Sequence, residues 1–338
     1  MNPLLVEIYR GEVLESFHRG VICIVDRDEN ILYQQGDIHQ LCYPRSALKF
    51  FQQIPLITSG AADAFSFSEE ELAVMCGSHN GEAEHLRVVD NILQKIGLDR
   101  SALLCGAQFP SDRKSTNALI VAGKKPEAIH NNCSGKHAGF LAYSIFLGAD
   151  PSDYLNPNHP TQLEIRRCVA KFHSMDESQL PLALDGCSAP IYAIPVYQQA
   201  LAYMRLSHPK FGDKKTREAC QRLIAAARKY PFLIAGSGRY CTDLIQECES
   251  ELIGKTGAEG IYSLCFHQEI IGACIKIDDG KMLPQYNVAQ KLVEQSRLFS
   301  ADQLAPLHPY LSNAIRNFNK WETGKIQVNN EILARPWR

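Results

Sequence analysis

The distribution of strand-like and helix-like segments along the chain is the feature that most constrains its fold. Short apolar or alternating runs, which are typical of strands, occur at 4–9, 20–26 and 30–34 and return at 260–265 and 270–277. The segments between them show mainly the apolar periodicity of helices. We therefore predict an α/β fold of the α+β type. An antiparallel sheet is formed from the N- and C-terminal segments and flanked by helices, with an inserted helical lobe.

The chain carries no sequence signal of a boundary between domains. No internal repeat, low-complexity tract or Pro/Gly/Ser-rich linker occurs, so we predict a single domain over 1–338. Residues 1–35 and 250–280 are expected to be rich in strands, and residues 45–248 to be mainly helical.

Local signals predict where several helices begin and end. Ser68 and Glu71 have the spacing of a capping box, so a helix is expected to begin after Ser68. The glycines that bound residues 77–81 predict a break before a further helix at 82–96. A last helix is predicted at about 288–299.

Charge and hydropathy exclude several classes of protein. The formal net charge is -2 with both signs mixed along the chain, whereas nucleic acids and membrane surfaces bind basic faces. No apolar run approaches the roughly 18 residues of a membrane span. Glu7 and Arg10 lie where a signal peptide needs an uninterrupted apolar run. We therefore expect a cytoplasmic protein that acts on a small molecule and keeps its 12 cysteines as thiols.

Ser46 and Lys49 form a Ser-x-x-Lys tetrad at the start of a predicted helix, 47–53. Residues three apart share one face of a helix, so a neutral Lys49 amine could take the proton of the Ser46 hydroxyl. An N-cap serine followed by an exposed lysine is an equally good interpretation of the pattern. The same spacing recurs at Ser111–Lys114, in a polar loop, and at Ser207–Lys210, where a proline prevents a regular helix.

Two further short motifs follow. Ser78-His79-Asn80 lies in the break bounded by glycines, and Lys255-Thr256-Gly257 follows a predicted strand at 251–254. Alone, the first is a common kind of turn and the second an uncommon but unspecific tripeptide. In this order, however, the three motifs resemble the active-site elements of serine β-lactamases and penicillin-binding proteins. The first gap is shorter and the second longer than in ordinary β-lactamases, which argues against antibiotic hydrolysis.

A closer resemblance, over about Leu5 to Ile277, is to the rhizobial-type (class 3) L-asparaginases of the serine β-lactamase-like fold. It implies a homodimeric catalytic domain that releases ammonia from L-asparagine through a serine acyl-enzyme. The family's two serine–lysine pairs fall on Ser46 with Lys49 and on Ser78 with Lys255. The matching segments are 43–49, 76–82, 130–137, 185–190 and 254–260.

The resemblance also implies which residues bind the substrate. The aspartate that recognises the substrate falls on Asp185, whose carboxylate would hold the substrate ammonium by a charge-assisted hydrogen bond. The other positions expected to contact the substrate are Arg45, Asn80, His137 and Gly257.

A zinc site is implied at Cys133, Lys136 and Cys187. From the residues alone, both cysteines would be structural, because buried cysteines usually serve as small apolar side chains. The resemblance reverses that interpretation. Cys133 and Lys136 stand three apart at a predicted helix start, so both could contact one ion. Two thiols and a water suit Zn²⁺, and the lysine ligand must be neutral.

The residues are compatible with more than one activity. One alternative is a glutaminase, whose substrate is longer than asparagine by one methylene group. A pocket discriminates against one methylene by only about 1–3 kcal/mol of binding free energy. A β-lactamase-like amidase would use the same fold, and a non-catalytic zinc or amino-acid-binding protein could keep the same pocket. Between the two serines we favour Ser46 as the nucleophile, because helix geometry fixes Lys49 beside it.

Overall fold

The computed structural model describes residues 1–248 and 251–338. Ser250, where the second strand-rich segment was predicted to begin, lies outside these residues. The chain divides into two compact units. Unit 1 comprises Met1–Ala47, Ile194–Arg205 and Asp243–Arg338, and unit 2 comprises Leu48–Ala193 and Leu206–Thr242. The single domain over 1–338 stays a prediction.

The bounds of the regular elements follow in chain order. The strands are β1 (Leu4–Arg10), β2 (Val13–Val25), β3 (Ile31–Gln35), β4 (Leu41–Cys42), β5 (Leu182–Leu184), β6 (Pro190–Tyr192), β7 (Ile194–Pro195), β8 (Leu252–Gly257), β9 (Ile261–Phe266), β10 (Ile271–Ile277), β11 (Asn313–Arg316) and β12 (Glu322–Val328). The α-helices are α1 (Lys49–Thr58), α2 (Ala61–Ala64), α3 (Glu69–Cys76), α4 (Ala83–Lys95), α5 (Arg113–Val121), α6 (Ser134–Phe146), α7 (Pro160–Phe172), α8 (Val196–Arg205), α9 (Lys214–Lys229), α10 (Pro231–Ala235), α11 (Tyr240–Glu247), α12 (Met282–Ser296) and α13 (Ala301–Leu304).

Unit 1 is built on one antiparallel sheet. The strand order is β11-β12-β1-β2-β10-β9-β8, and β3 pairs with β2 as well. All neighbouring strands are antiparallel. The long strand β2 joins the two ends of the chain, because it pairs with β1 through its first half and with β10 through its second. The predicted antiparallel sheet made from both termini is confirmed.

The centre of this sheet is covered on both faces. Every residue from Gly20 to Val25 is buried, and so are all residues of β8 and β9. Helix α8 packs on the face that carries Val21 and Cys23. A Cβ at Gly272 would lie 2.1 Å from the Ala200 carbonyl oxygen, so the helix backbone touches the sheet there. Helix α12 also packs against β10. Burial on both faces explains the continuous apolar runs that identify these strands in the sequence.

Unit 2 is mainly helical, as predicted, and its helix α3 begins with the predicted capping box. The Ser68 N–H donates to Glu71 Oε2 at 2.7 Å, and the Glu71 N–H donates to Ser68 Oγ at 3.4 Å. Helix α3 ends at Cys76 and α4 begins at Ala83, which confirms the predicted break at 77–81. In the described part of the chain, no helix is long and apolar enough to cross a membrane.

The structure corrects several predicted elements. The last helix predicted at 288–299 is α12, which begins and ends earlier, and strands β11 and β12 after it were not predicted. Helix α5 occupies a segment expected to be a loop, and Lys255-Thr256-Gly257 lies inside β8 rather than after a strand. Helix α5 buries none of its residues, and its apolar residues form one run at 118–121 rather than a stripe with helical spacing.

Replacing Ser68 by alanine should destabilise the protein by about 1 kcal/mol, because the first turn of α3 loses a hydrogen-bond acceptor for the Glu71 N–H. Urea unfolding would measure the change. Ser16→Ala, at an exposed position in β2, is the control and should change the free energy of unfolding by less than about 0.5 kcal/mol. Equal stability of the two variants would contradict the role of the cap.

Candidate active site

The predicted site residues are divided between the two units. Unit 1 contains Arg45, Ser46, Lys255 and Gly257, and unit 2 contains Lys49, Ser78, Asn80, Cys133, Lys136, His137, Asp185 and Cys187. Each predicted serine–lysine pair takes one residue from each unit, so both pairs stay predictions. The contacts within each unit are described separately.

In unit 2, Lys49 lies beside Ser78. Lys49 is the first residue of α1, its side chain is 1% exposed, and its Nζ lies 3.0 Å from Ser78 Oγ. The same amine donates to the carbonyl oxygens of Gly77 and Asn132, the latter at 3.2 Å. The amine thus donates to three oxygen atoms, and one of them is Ser78 Oγ. The contact provides a direct path for a proton between Lys49 and the Ser78 hydroxyl.

The backbone around Ser78 is held from two sides. The Ser78 N–H donates to the Ile234 carbonyl at 2.8 Å, and the His79 N–H donates to the Asn132 carbonyl at 3.3 Å. A Cβ at Gly77 would lie only 2.4 Å from the Leu233 carbonyl oxygen, so the close approach requires glycine. The break between α3 and α4 is therefore a fixed support for the serine.

His79 belongs to the predicted motif but had no predicted role. Its Nδ1 accepts the Gly81 N–H at 3.2 Å, so its Nε2 carries the hydrogen and donates to Ser134 Oγ at 2.9 Å. Burial lowers the pKa of His79 well below its usual value, and the neighbouring His85 and Lys49 lower it further. His79 is thus a neutral link between the Ser78 loop and the start of α6.

His137, predicted to bind the substrate, is a fully buried donor. The Leu104 N–H donates to the Tyr154 hydroxyl oxygen at 2.9 Å, and that hydroxyl lies 2.6 Å from His137 Nδ1. Because Tyr154 already accepts one hydrogen bond, we assign its proton to the bond with Nδ1, which leaves the ring hydrogen on Nε2. Within the described residues, this Nε2 has no hydrogen-bond partner.

A buried donor of this kind requires an acceptor. Burial lowers the pKa of His137 well below its usual value, and Lys136 and Lys49 lower it further, so the ring stays neutral. A substrate oxygen would satisfy Nε2–H. Tyr154, which sets the tautomer, was missed in the sequence because no motif links it to His137.

Cys133, Lys136 and Cys187 lie together in unit 2. The Lys136 Nζ is 3.0 Å from Cys187 Sγ, and Cys187 Sγ is 3.9 Å from Asp185 Oδ2. A hydrogen bond from Cys187 lowers the pKa of Cys133 well below its usual value, and Lys49 and Lys136 support this shift against the effect of burial. The pKa of Lys136 is raised, because the nearby sulfur atoms and Asp185 outweigh its burial.

This cluster has the donor chemistry of a metal site. Two thiols and one buried amine converge, and a cation would take the place of the protons that they now share. Among the residues that the structure describes, no group of three or more His, Cys, Asp or Glu side chains could hold a metal ion. The amine of Lys136 is therefore needed to complete a three-ligand set.

In unit 1, Gly257 brings the end of β8 against the segment that carries Ser46. A Cβ at Gly257 would lie 2.3 Å from the Pro44 carbonyl oxygen. Ser46 lies in a 3₁₀ helix, Arg45–Leu48, that leads into α1. Arg45 adopts a φ of 53°, which is uncommon for a residue other than glycine and often marks a functional site.

Lys255 is fully buried in the same strand. Its Nζ donates to the Thr256 carbonyl at 3.1 Å. The Thr256 hydroxyl accepts a hydrogen bond from Gln285 at 2.7 Å and lies 3.3 Å from the Tyr286 hydroxyl. The Lys-Thr-Gly motif is therefore held in place by polar contacts as well as by the sheet.

The family model of L-asparaginase II matches residues 6–328. The match identifies the class of the protein as an amidohydrolase. The chain belongs to the L-asparaginase II family. The resemblance to L-asparaginases predicted from the sequence is thereby confirmed.

Solved structures that resemble the chain include a β-lactamase from Mycobacterium bovis, at 12% identity and a TM-score of 0.38 over 86% of this chain and 95% of that chain. A Bacillus glutaminase is similar at 11% identity and a TM-score of 0.33, over 78% of this chain and 84% of that chain. At these TM-scores the likenesses carry no argument about function, and the assignment rests on the family model. No curated protein sequence matches the chain.

Tyr154→Phe should lower kcat/KM for amide hydrolysis about tenfold, which corresponds to about 1.4 kcal/mol of transition-state stabilisation. Without the hydroxyl, His137 is no longer fixed in the tautomer that donates from Nε2. The Leu104 N–H also loses its acceptor, so a fall in thermal stability is expected. Tyr192→Phe, at another buried tyrosine of unit 2, should keep the wild-type kcat/KM. An unchanged kcat/KM in Tyr154→Phe would show that the tautomer is not used.

Proposed function

We propose that the protein is an L-asparaginase, which converts L-asparagine and water to L-aspartate and ammonia through a serine acyl-enzyme. The observation that carries the proposal is the buried contact between Lys49 Nζ and Ser78 Oγ, at 3.0 Å, in a chain of the L-asparaginase II family. A buried amine next to a serine hydroxyl supplies the proton transfer that acyl transfer from an amide requires.

In this proposal Ser46 attacks the side-chain amide carbon of asparagine. The C–O bond forms as the serine proton passes to Lys49, and the C–N bond then breaks as ammonia leaves with a proton. Ser78 relays that proton, since its hydroxyl lies against the Lys49 amine. Lys255 completes the second pair with Ser78. Water then attacks the aspartyl ester as Lys49 takes one of its protons. The bond between Ser46 Oγ and the acyl carbon breaks, L-aspartate leaves, and Lys49 returns the proton to Ser46.

In the proposal, the substrate is bound by a carboxylate that pairs with its ammonium group and by a neutral hydrogen-bond donor. Asp185 holds the substrate ammonium, and the unpaired Nε2–H of His137 donates to a substrate oxygen. Arg45, Asn80 and Gly257 are the other positions assigned to the substrate site. The buried, neutral state of His137 supports its role. A neutral imidazole can donate to a substrate oxygen, and it needs no nearby negative charge to balance it.

Zinc is the proposed cofactor. Cys133, Lys136 and Cys187 are the ligands, and water completes the coordination. When bound, the ion supplies a fixed positive charge beside the substrate site. The two thiols and the amine already converge, which supports the assignment.

A homodimer and a cytoplasmic location are also proposed. The homodimer follows from the resemblance to the rhizobial-type enzymes. Three large apolar side chains exposed at the end of the unit 1 sheet are consistent with a surface that becomes covered: Val13, Phe318 and Trp321 are 70%, 105% and 69% exposed. The formal net charge of -2, with both signs mixed along the chain, supports a small-molecule substrate rather than a nucleic acid or a membrane.

Ser46→Ala and Lys49→Ala should each lower kcat for ammonia release from asparagine by at least about 10³-fold, because each removes a participant in bond formation. Ser78→Ala should also be severely impaired. Circular dichroism would establish that the variants are folded. The matched controls are Ser111→Ala and Lys114→Ala, which alter a Ser-x-x-Lys spacing elsewhere and should keep wild-type rates.

Wild-type activity in folded Ser46→Ala would exclude Ser46 as the nucleophile. Mass spectrometry after treatment with a diazoketone analogue of asparagine would then locate the modified serine. Modification of Ser78 would reverse the roles of the two serines, and modification of neither, together with full activity of both alanine variants, would exclude the acyl-enzyme.

The double variant Cys133→Ala/Cys187→Ala should lose one zinc ion per chain, because it removes both proposed thiol ligands. Atomic emission spectroscopy of the purified protein would measure this. The expected kinetic effect is mainly a higher KM, since a serine nucleophile needs no metal-activated water. Cys168→Ala, at a cysteine in α7, is the control and should retain zinc. An unchanged zinc content in the double variant would show that the zinc site does not consist of Cys133 and Cys187.

A further inference from the structure

Arg239 is a half-buried arginine beside the loop that carries Ser78. Its Nη1 donates to the Asn80 side-chain oxygen at 2.8 Å. Over residues 1–248 and 251–338, no carboxylate forms an ion pair with it. By contrast, Arg100 of the same unit pairs with Asp90 at 2.5 Å. Arg239 therefore keeps its full charge and several N–H groups for another anion.

The loop that carries Arg239 is held against the residues that follow Ser78. The Asn80 amide nitrogen donates to the Ser237 carbonyl at 3.1 Å, and the Ser237 N–H donates to Glu82 Oε2 at 3.0 Å. Gly236 has a φ of 108°, and a Cβ there would lie 2.3 Å from Glu82 Oε2. Two polar side chains and a required glycine thus fix the start of the arginine's loop.

Asn80 uses both ends of its amide in this arrangement. The oxygen accepts from Arg239 and the nitrogen donates to the loop, so Asn80 positions the arginine in addition to its assignment to the substrate site. Glu82 is the carboxylate of this region, but it accepts the Ser237 N–H and lies 3.9 Å from His85 Nδ1. It is therefore engaged elsewhere.

On the basis of the proposed function, we infer that Arg239 binds the α-carboxylate of the amino-acid substrate. Asparagine carries one carboxylate and one ammonium, and Asp185 is assigned to the ammonium. The two buried lysines of unit 2 are engaged, Lys49 with Ser78 and two carbonyls and Lys136 with Cys187. A guanidinium binds a carboxylate with two parallel hydrogen bonds, which an amide or ester cannot match.

This role restricts the enzyme to free amino acids. A carboxylate that is absent or capped leaves the Arg239 charge without a partner in a partly desolvated site, and that loss penalises the wrong substrate. Asparagine residues within peptides and simple amides are then poor substrates. Specificity would come from the residues after Ser78 and not from the depth of the side-chain pocket.

The test compares L-asparagine with β-alaninamide, which has the same amide and ammonium but lacks the carboxylate. In the wild-type enzyme kcat/KM should be at least about 100-fold higher for asparagine. Arg239→Gln should lower kcat/KM for asparagine about 100-fold, chiefly through KM, and change that for β-alaninamide less than about threefold. Arg239→Lys keeps the positive charge but cannot form two parallel hydrogen bonds with a carboxylate. Its kcat/KM for asparagine should lie between those of the wild type and Arg239→Gln.

Two controls make the outcome specific. Arg222→Gln, which breaks a surface ion pair with Asp63, should leave the substrate ratio unchanged. Arg45→Gln tests the other arginine assigned to the substrate. If Arg45→Gln abolishes the preference for asparagine and Arg239→Gln keeps it, the assignment to Arg239 is overturned. An equal loss for both substrates in Arg239→Gln would also overturn it.

Failure of the proposed function is a separate result. If the wild-type enzyme releases no ammonia from asparagine, the asparaginase proposal fails while carboxylate binding can still be measured. Calorimetry with L-aspartate should then give about 100-fold weaker binding to Arg239→Gln than to wild type, and equal binding would overturn the inference. If Arg239→Gln does not fold, Arg239→Lys provides both measurements.

Discussion

The buried amine of Lys49 is the group on which the unit 2 part of the site depends. It contacts the Gly77 carbonyl, the Ser78 hydroxyl and the Asn132 carbonyl, and thereby joins the end of α3, the break after it and the segment before α6. A buried amine is costly unless its hydrogen bonds are satisfied. The three oxygen atoms satisfy the hydrogen bonds of the amine. One of them, Ser78 Oγ, belongs to a hydroxyl and can exchange a proton with Lys49.

Histidines that accept backbone N–H groups supply a second constraint on the structure of unit 2. In unit 2, His79, His85, His130 and His159 each accept a backbone N–H through Nδ1. Each of these imidazoles therefore serves as a hydrogen-bond acceptor for a backbone N–H. The other ring nitrogen can form a second hydrogen bond, as His85 Nε2 does with the Phe232 carbonyl at 3.0 Å. Burial lowers the pKa of both His79 and His85, so the bonds that need a neutral ring persist. His137 differs because its Nε2 forms no hydrogen bond with any described residue.

The sequence predicts the parts of the fold that carry strong periodicity or local turn chemistry. The strands of the central sheet are buried on both faces and appear as continuous apolar runs, and Ser68 with Glu71 marks a helix start that the structure confirms. Strands β11 and β12 escaped prediction because they are largely polar and partly exposed. The pairing of β12 with β1 and of β11 with β12, rather than their own composition, defines them. The site follows the same rule. Contiguous motifs identify Lys49, Ser78 and Cys133, whereas Tyr154 and Arg239 are brought in by tertiary contacts that no spacing encodes.

The three-part composition of unit 1 has a consequence for the order of folding. Its sheet cannot be completed until β8, β9, β10 and β12 exist, because β2 and β1 pair with strands more than 240 residues further along the chain. Unit 2, by contrast, consists of Leu48–Ala193 and Leu206–Thr242, and all its residues have been synthesised before those strands. Domains generally form as units during synthesis, and pairing of distant segments is slow. During synthesis β1 and β2 therefore each lack one strand partner until β12 and β10 have been made. The helical unit that supplies Lys49 and Ser78 can assemble before then.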